Sequence, residues 1–331
     1  MLKNISLKTL LITLLSVLSI GTGCAGDFTD NPQVQQFIDE MVKSHDFDRQ
    51  QLETLFAQAK KRDDILKAIS RPAESKAWYE YRPIFLQPKR IQGGVEFWKQ
   101  NAELLAKTEK EFGVDAAVIV AIIGVETRYG ANTGSYRVID ALSTLAFDYP
   151  PRSKFFRSEL EQFLILSKEE QVDPASAKGS YAGAMGYGQF IPSSYRHYAV
   201  DFDKDGKRDL WGSLEDIIGS VANYFHQHHW KPGEPVASKA ISDKPVPESL
   251  ISKSLKPAEK ASHFFAAGID VSPPLPADMP AALLKLEQRD GPEYWLVSHN
   301  FYVITRYNRS PLYAMAVFQL SEAIRDAYQQ N

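Results

Sequence analysis

Apolar residues recur three and four apart along the first third of the chain. Val34, Phe37, Ile38 and Met41 form one such stripe, opened by Asn31 as a cap and Pro32 in the first turn. Leu52, Leu55, Phe56 and Ala59 form a second. The stretch Trp78 to Pro88 interrupts the period with two prolines among aromatic residues and reads as extended. Gly93-Gly94 then opens a helix through Phe97, Trp98, Leu104 and Leu105.

Periodicity disappears in Ala116 to Val125, which is almost wholly apolar and follows Asp115 as N-cap. A helix apolar all round is buried on all sides. Phe155, Phe156, Leu160, Phe163, Leu164 and Leu166 mark another helix, and Ile217 to Trp230 one more. Residues 232 to 280 are richer in Pro, Ser and Lys and read as a peripheral insertion or connecting segment. Leu283 to Gln288 and Glu293 to Val297 flank Arg289-Asp290-Gly291-Pro292, an Asp-Gly turn that predicts a hairpin. Ser310-Pro311 starts a final helix with Ser as N-cap. The fold class is mainly α, of α+β type, with a small β element.

The first residues have a different logic. Lys3 and Lys8 precede an apolar run from Thr9 to Ile20, which meets Gly21-Thr22-Gly23-Cys24. That order reads as a secretion signal over 1–24, and the run falls short of the about 20 residues a spanning helix needs. Cys24 is the only cysteine, so it makes no internal disulfide. It stands where a lipoprotein signal places its acylated residue, although Gly21 replaces the usual Leu. The expectation is a periplasmic protein tied to the outer membrane through Cys24, with ordinary cleavage to a soluble form as the alternative. The net charge of −3, with signs interspersed, excludes a nucleic-acid surface. Such a protein grips its substrate by shape, hydrogen bonds and stacking.

Two segments carry chemistry. In Ile122-Ile123-Gly124-Val125-Glu126-Thr127-Arg128-Tyr129-Gly130 a carboxylate ends the buried apolar helix. Burial raises a carboxyl pKa, which yields a proton donor near neutral pH, as glycosidic cleavage requires. A purely structural pairing with Arg128 or another base is the competing reading. In Lys178 to Phe190, four glycines in ten residues form a loop whose backbone approaches a ligand closely. Ser180 and Gln189 offer donors and acceptors to sugar hydroxyls, and Tyr181 and Tyr187 offer rings. No Gly-Lys-Ser/Thr follows, which argues against phosphate.

These strings carry a resemblance. Glu126 in Gly-Val-Glu-Thr-Arg-Tyr-Gly, Tyr149-Pro150 with Arg152, Gly183 to Tyr195, Gly219 to Tyr224 and Asn300 to Asn308 resemble the membrane-bound lytic murein transglycosylase B family, in order from about residue 32 onward. The resemblance implies a lysozyme-like core with a helical domain and a smaller domain. It implies cleavage of the β-1,4 bond between N-acetylmuramic acid and N-acetylglucosamine, with the muramyl C6 hydroxyl attacking C1 to leave a 1,6-anhydro end. Glu126 matches the single catalytic acid. Tyr81, Ser180, Gln189, Tyr224, Tyr307 and Tyr313 match residues lining the sugar groove, and Arg152 one near the peptide stem. Phe155 stands where the family has a groove Tyr, keeping the stacking ring without the hydroxyl, and Pro151 where a second Arg can occur. The implied division is a helical region over 30–112, the core over 113–232, and 233–331 completing the groove.

Asp201-Phe202-Asp203-Lys204-Asp205-Gly206-Lys207 follows the opening of an EF-hand loop, with acids at positions 1, 3 and 5 and Gly at 6. Gly212 stands at the closing position, so the loop over 201–216 is longer than standard. Asp216 is favoured as closing ligand with Glu215 second, and Lys207 offers only its carbonyl. The expected ion is a structural Ca2+, with no cofactor for catalysis. His226, His228 and His229 are spaced unlike a zinc site. Expected partners are peptidoglycan strands and, through the anchor, a membrane; the chain is expected to be a monomer. A water-adding muramidase, with Asp140 or Asp148 as base, and a non-catalytic calcium-stabilised glycan binder are the competing functions.

Overall fold

The computed structural model describes residues 26–70 and 76–330. The secretion signal and Cys24 lie outside the described residues. Six helices come first: α1 (Pro32–His45), α2 (Arg49–Gln58), α3 (Asp63–Ile69), α4 (Trp78–Phe85), α5 (Pro88–Gln100) and α6 (Ala102–Phe112). The middle holds α7 (Ala116–Thr127), β1 (Tyr136–Arg137), α8 (Val138–Asp148), α9 (Ser153–Glu169), β2 (Lys178–Gly179), α10 (Pro192–Tyr198) and α11 (Leu214–Gln227). Last come β3 (Ala237–Ile241), β4 (Glu259–Lys260), α12 (Ala261–Ala266), β5 (Asp270–Ser272), β6 (Pro280–Gln288), β7 (Gly291–Val297), α13 (His299–Tyr307) and α14 (Pro311–Gln329). None of the described helices is long and apolar enough to cross a membrane.

The α+β expectation holds, and α7 is its centre. Asp115 caps it by accepting the Ala117 N–H at 2.8 Å, and Glu126 is its one residue that is not buried. Helices α5, α6, α11 and α14 pack around it, so its apolar circumference is covered as the pattern requires. Helix α14 begins where Ser310 accepts the Tyr313 N–H, and it buries Tyr313, Met315 and Leu320. Helices α8 and α9 pack together beside this group, and α1 buries its four-residue stripe as expected.

Four local expectations are corrected. Trp78 to Phe85 is helical, not extended. Trp78 and Tyr81, three apart, are both buried, and burying two large rings outweighs the hydrogen bond that Pro83 removes. Pro88 begins α5 rather than prolonging a strand. Gly93-Gly94 sits in the middle of α5, and Asn101 breaks the chain before α6. Residues 232–280 are more than a connection: they supply β3, β4 and β5 to a five-stranded antiparallel sheet ordered β4-β6-β7-β3-β5. The predicted hairpin is β6–β7, but Gln288 pairs with Gly291, so the turn is Arg289-Asp290 and Gly291 already belongs to the returning strand. One sheet face closes a second small core around Phe264, Leu283 and Leu296.

Candidate active site

Glu126 occupies the last turn of α7, partly exposed, with apolar residues behind it. Burial pushes its carboxyl up to about 7, against which the Tyr313 hydroxyl pulls down by donating to Oε1 at 2.5 Å. A carboxyl in this range is a proton reservoir at neutral pH. The competing ion pair with Arg128 is absent, since Arg128 caps the helix in a left-handed conformation and forms no ion pair among the described residues. Tyr307 and Tyr313 both have raised pKa values, mainly from burial and next from the neighbouring Glu126 charge. They remain neutral donors.

The glycine-rich segment is tied to this carboxyl by short bonds. Strands β1 and β2 pair Tyr136 with Gly179, and Met185 bridges to both Gly179 and Phe190. The Thr127 hydroxyl, one residue past Glu126, bonds the Tyr187 carbonyl at 3.0 Å and accepts the Gly130 N–H. Ser180 Oγ accepts the N–H groups of Ala182 and Ala184, which leaves its own proton to donate. Gln189 sits at φ 50° and spends its amide hydrogens on the carbonyls of Thr133 and Gly186. Its side-chain oxygen is therefore the atom left to accept. Tyr181 is 40% exposed, an open ring on the same loop.

Helix α13 closes the back of the loop. The Tyr307 hydroxyl donates to the Gly188 carbonyl at 2.6 Å, and the Tyr224 hydroxyl to the Arg306 carbonyl at 2.5 Å. Their rings lie 4.7 Å apart. Tyr81 packs against Phe85 with centroids 5.1 Å apart on α4, and α4 packs against α14, the helix that carries Tyr313. Glu126, Tyr81, Tyr307, Tyr313 and the loop carrying Ser180 and Gln189 are thus one constellation. Arg152 lies over the Phe155 ring at 4.2 Å on the exposed start of α9; nothing among these contacts joins the pair to Glu126.

No second carboxylate joins Glu126 among the described residues. Asp140 is held by Arg137 and the Lys60 N–H, and Asp148 by Lys61 at 2.6 Å. A hollow of 910 Å³ lies between α2 and α9, where Asp48 and Asp173 cap the backbone N–H groups of Gln51 and Ala175.

One residue with a structural part in the site carried no expectation. The Tyr129 ring fits between α5 and α7 and donates to the Arg90 carbonyl at 2.8 Å. A Cβ at Gly124 would stand 2.6 Å from its hydroxyl, and one at Gly94 would stand 2.7 Å from it. The signal was available: three glycines inside helices, where each costs about 1 kcal/mol against Ala, call for a close approach.

The acidic loop assembles in part. Carboxylate oxygens of Asp201, Asp203 and Asp205 lie within 4.8 Å of one another. Gly206, at φ +93°, donates its N–H to Asp201 and makes the turn. Asp216 is fully buried and accepts the N–H groups of Phe202 and Asp209, each at 2.7 Å. It staples the loop's two ends instead of joining the three clustered acids, and Glu215 is exposed. His226 and His228 bond separate carbonyls, those of Phe112 and Tyr224.

Comparison with known proteins fits this arrangement. Residues 29–322 match the family model described as the transglycosylase SLT domain. The chain is 46% identical over 309 residues to the membrane-bound lytic murein transglycosylase B of Escherichia coli K12, covering 90% of this chain and 84% of that protein. The crystal structure of soluble lytic transglycosylase SltB1 from Pseudomonas aeruginosa is 52% identical with a TM-score of 0.85, covering 90% of this chain and all of that one. The Escherichia coli lytic transglycosylase SLT35 in complex with calcium is 47% identical with a TM-score of 0.85, covering 92% of this chain and 96% of that one.

Proposed function

We propose, from the premise that this chain belongs to the lytic murein transglycosylase B family, that Glu126 is the single acid and base with which it cuts peptidoglycan strands. The chain is a lytic murein transglycosylase. It breaks the β-1,4 bond between N-acetylmuramic acid and N-acetylglucosamine and leaves a 1,6-anhydromuramyl end. The observation that carries the Glu126 assignment is a carboxyl held near pH 7 by burial, with Tyr313 on one oxygen.

Most glycosidases use two carboxylates. One suffices here because the nucleophile is the substrate's own C6 hydroxyl, already close to C1. Glu126 gives its proton to the leaving oxygen as the glycosidic bond breaks. The carboxylate then takes the proton of the C6 hydroxyl as O6 bonds to C1. Ser180, Gln189, Tyr81, Phe155, Tyr224, Tyr307 and Tyr313 line the groove, and Arg152 serves the stem. That Asp140 and Asp148 are each engaged by other groups weighs against a hydrolytic base. Mass spectrometry of ends released from purified sacculi tests the reaction: anhydro ends, one water lighter, are expected, and reducing ends would make the protein a muramidase.

The loop of Asp201, Asp203 and Asp205 binds a structural Ca2+. Its clustered acids and the calcium complex of the 47% identical relative support this. Asp216 acts by holding the loop closed. The leader pattern before Cys24, and the membrane-bound relative, support export and acylation at Cys24 with anchoring to the outer membrane. Two acyl signals suffice for stable anchoring. Cys24→Ala should move the protein from the membrane to the soluble fraction.

A further inference from the structure

Two guanidinium groups flank the end of α7 without a carboxylate on either. Arg128 is the C-cap at φ 54°, and Tyr129 follows at φ 60°. Two consecutive non-glycine residues in the left-handed region are strained, by about 1–3 kcal/mol each. Tyr129 has its reason in the slot it fills between α5 and α7. The exposed Arg128 forms no hydrogen bond, ring contact or ion pair through its side chain among the described residues.

The second cation is Arg90, only 8% exposed. Its guanidinium donates to the Gly124 carbonyl at 3.2 Å and lies over the Phe85 ring at 5.1 Å. Burial first, and Arg128 second, hold its pKa below the ordinary value. A desolvated guanidinium has five N–H donors, and two like charges in mutual range favour an anion between them. Phe85 packs on Tyr81, and α4, which carries both, packs on α14, the helix of Tyr313, while Arg128 donates its backbone N–H to the same Gly124 carbonyl that Arg90 holds. The pair therefore belongs to the same wall as Tyr81.

We propose that Arg128, backed by Arg90, binds a carboxylate of the glycan strand and so selects strands that carry one. This rests on the reading of the Glu126 groove as the glycan site. The carboxylate has two sources: the lactyl group of muramic acid in a peptide-free strand, or the stem peptide where the lactyl group is amidated.

The test uses the full chain with Glu126→Gln, so that bound strands are not cut. Calorimetric titration compares a peptide-free muramyl–glucosaminyl tetrasaccharide, the same strand bearing stem peptides, and N-acetylglucosamine tetramer, which has no carboxylate. Adding Arg128→Ala should weaken one or both carboxylate probes about tenfold or more, as for a charged hydrogen bond, and leave the neutral tetramer unchanged. Arg128→Lys should restore part of the loss. A loss confined to the first probe assigns the lactyl group, and one confined to the second assigns the stem. Unchanged affinity for both carboxylate probes, or an equal loss for the neutral tetramer, overturns the assignment while leaving the groove reading intact. If the Glu126→Gln parent binds none of the three, the groove reading falls and this one with it.

Discussion

The Tyr313 hydroxyl stands 2.5 Å from Oε1 of Glu126, and the two sit 187 positions apart on α14 and α7. The bond opposes burial: burial favours the neutral acid, and a donated hydrogen bond favours the anion. Removing the donor in Tyr313→Phe raises the Glu126 pKa above about 7. Catalysis requires the protonated acid at the outset, so activity falls as pH rises through that pKa. The alkaline limb of kcat against pH should therefore move upward by about half to one unit, the equivalent of roughly 1 kcal/mol. An unmoved limb would separate Tyr313 from the proton donor.

The same burial destabilises the fold at high pH. The Glu126 carboxyl titrates at about 7 when folded and near 4.5 when exposed. Its folded form binds the extra proton between those values, so its contribution is fully present below pH 4.5 and is lost as pH rises through 7. That difference corresponds to about 3 kcal/mol at most. Glu126→Gln does not titrate. Denaturant unfolding should show it similar to wild type at pH 4 and up to about 3 kcal/mol more stable at pH 8. Equal stability differences at both pH values would contradict the raised pKa.

Much of this site is legible in the chain before any coordinates. A carboxylate ending an unbroken apolar run has a raised pKa wherever the run is buried, and Ala116 to Val125 is buried throughout. The loop with Ser180 and Gln189 is legible because so many glycines together call for unusual backbone and close approach, which Gly183 and Gly186 show at positive φ against Leu142 and Leu210. What escapes is whatever depends on tertiary partners. Local pattern puts prolines and aromatics of Trp78–Phe85 in an extended stretch, but burial of Trp78 and Tyr81 makes a helix. The strands β3, β4 and β5 are too short, at five, two and three residues, to show alternation of their own. Asp216 has the spacing of a ligand, yet its two backbone bonds are invisible in sequence.

The acidic loop carries a stability prediction. Three carboxylates within 4.8 Å repel one another unless a cation lies among them. Chelation should lower the melting temperature, and added Ca2+ should restore it in proportion to ion concentration. Asp203→Ala should lose that response. Activity at temperatures where the chelated protein stays folded should be little changed, because the hydrogen bonds of Asp201, Asp203 and Asp205 stay within the loop, and its links to the glycine-rich segment, Leu210 to Tyr187 and Trp211 to Lys178, lie beyond Gly206. Calorimetry with and without chelator checks the first point, and a sacculus assay the second.

The Tyr129 slot makes a packing prediction. A methyl at Gly124 meets the Tyr129 ring at 2.6–2.7 Å. Gly124→Ala should cost about 1–3 kcal/mol, because neither α5 nor α7 can retreat without losing core contacts. The gain of about 1 kcal/mol in helix propensity offsets only part of this. Urea unfolding of Gly124→Ala beside Tyr129→Ala/Gly124→Ala checks it. The double variant should show no additional penalty from the methyl, relative to Tyr129→Ala alone.

The most direct measurement is digestion of purified sacculi by folded Glu126→Gln, with 1,6-anhydromuramyl ends counted by mass spectrometry. A one-acid mechanism anticipates no anhydro ends above those in an enzyme-free control, from a protein whose circular dichroism matches wild type. Anhydro ends released at a rate near that of wild type would mean that another group supplies the proton, and would contradict the role given to Glu126.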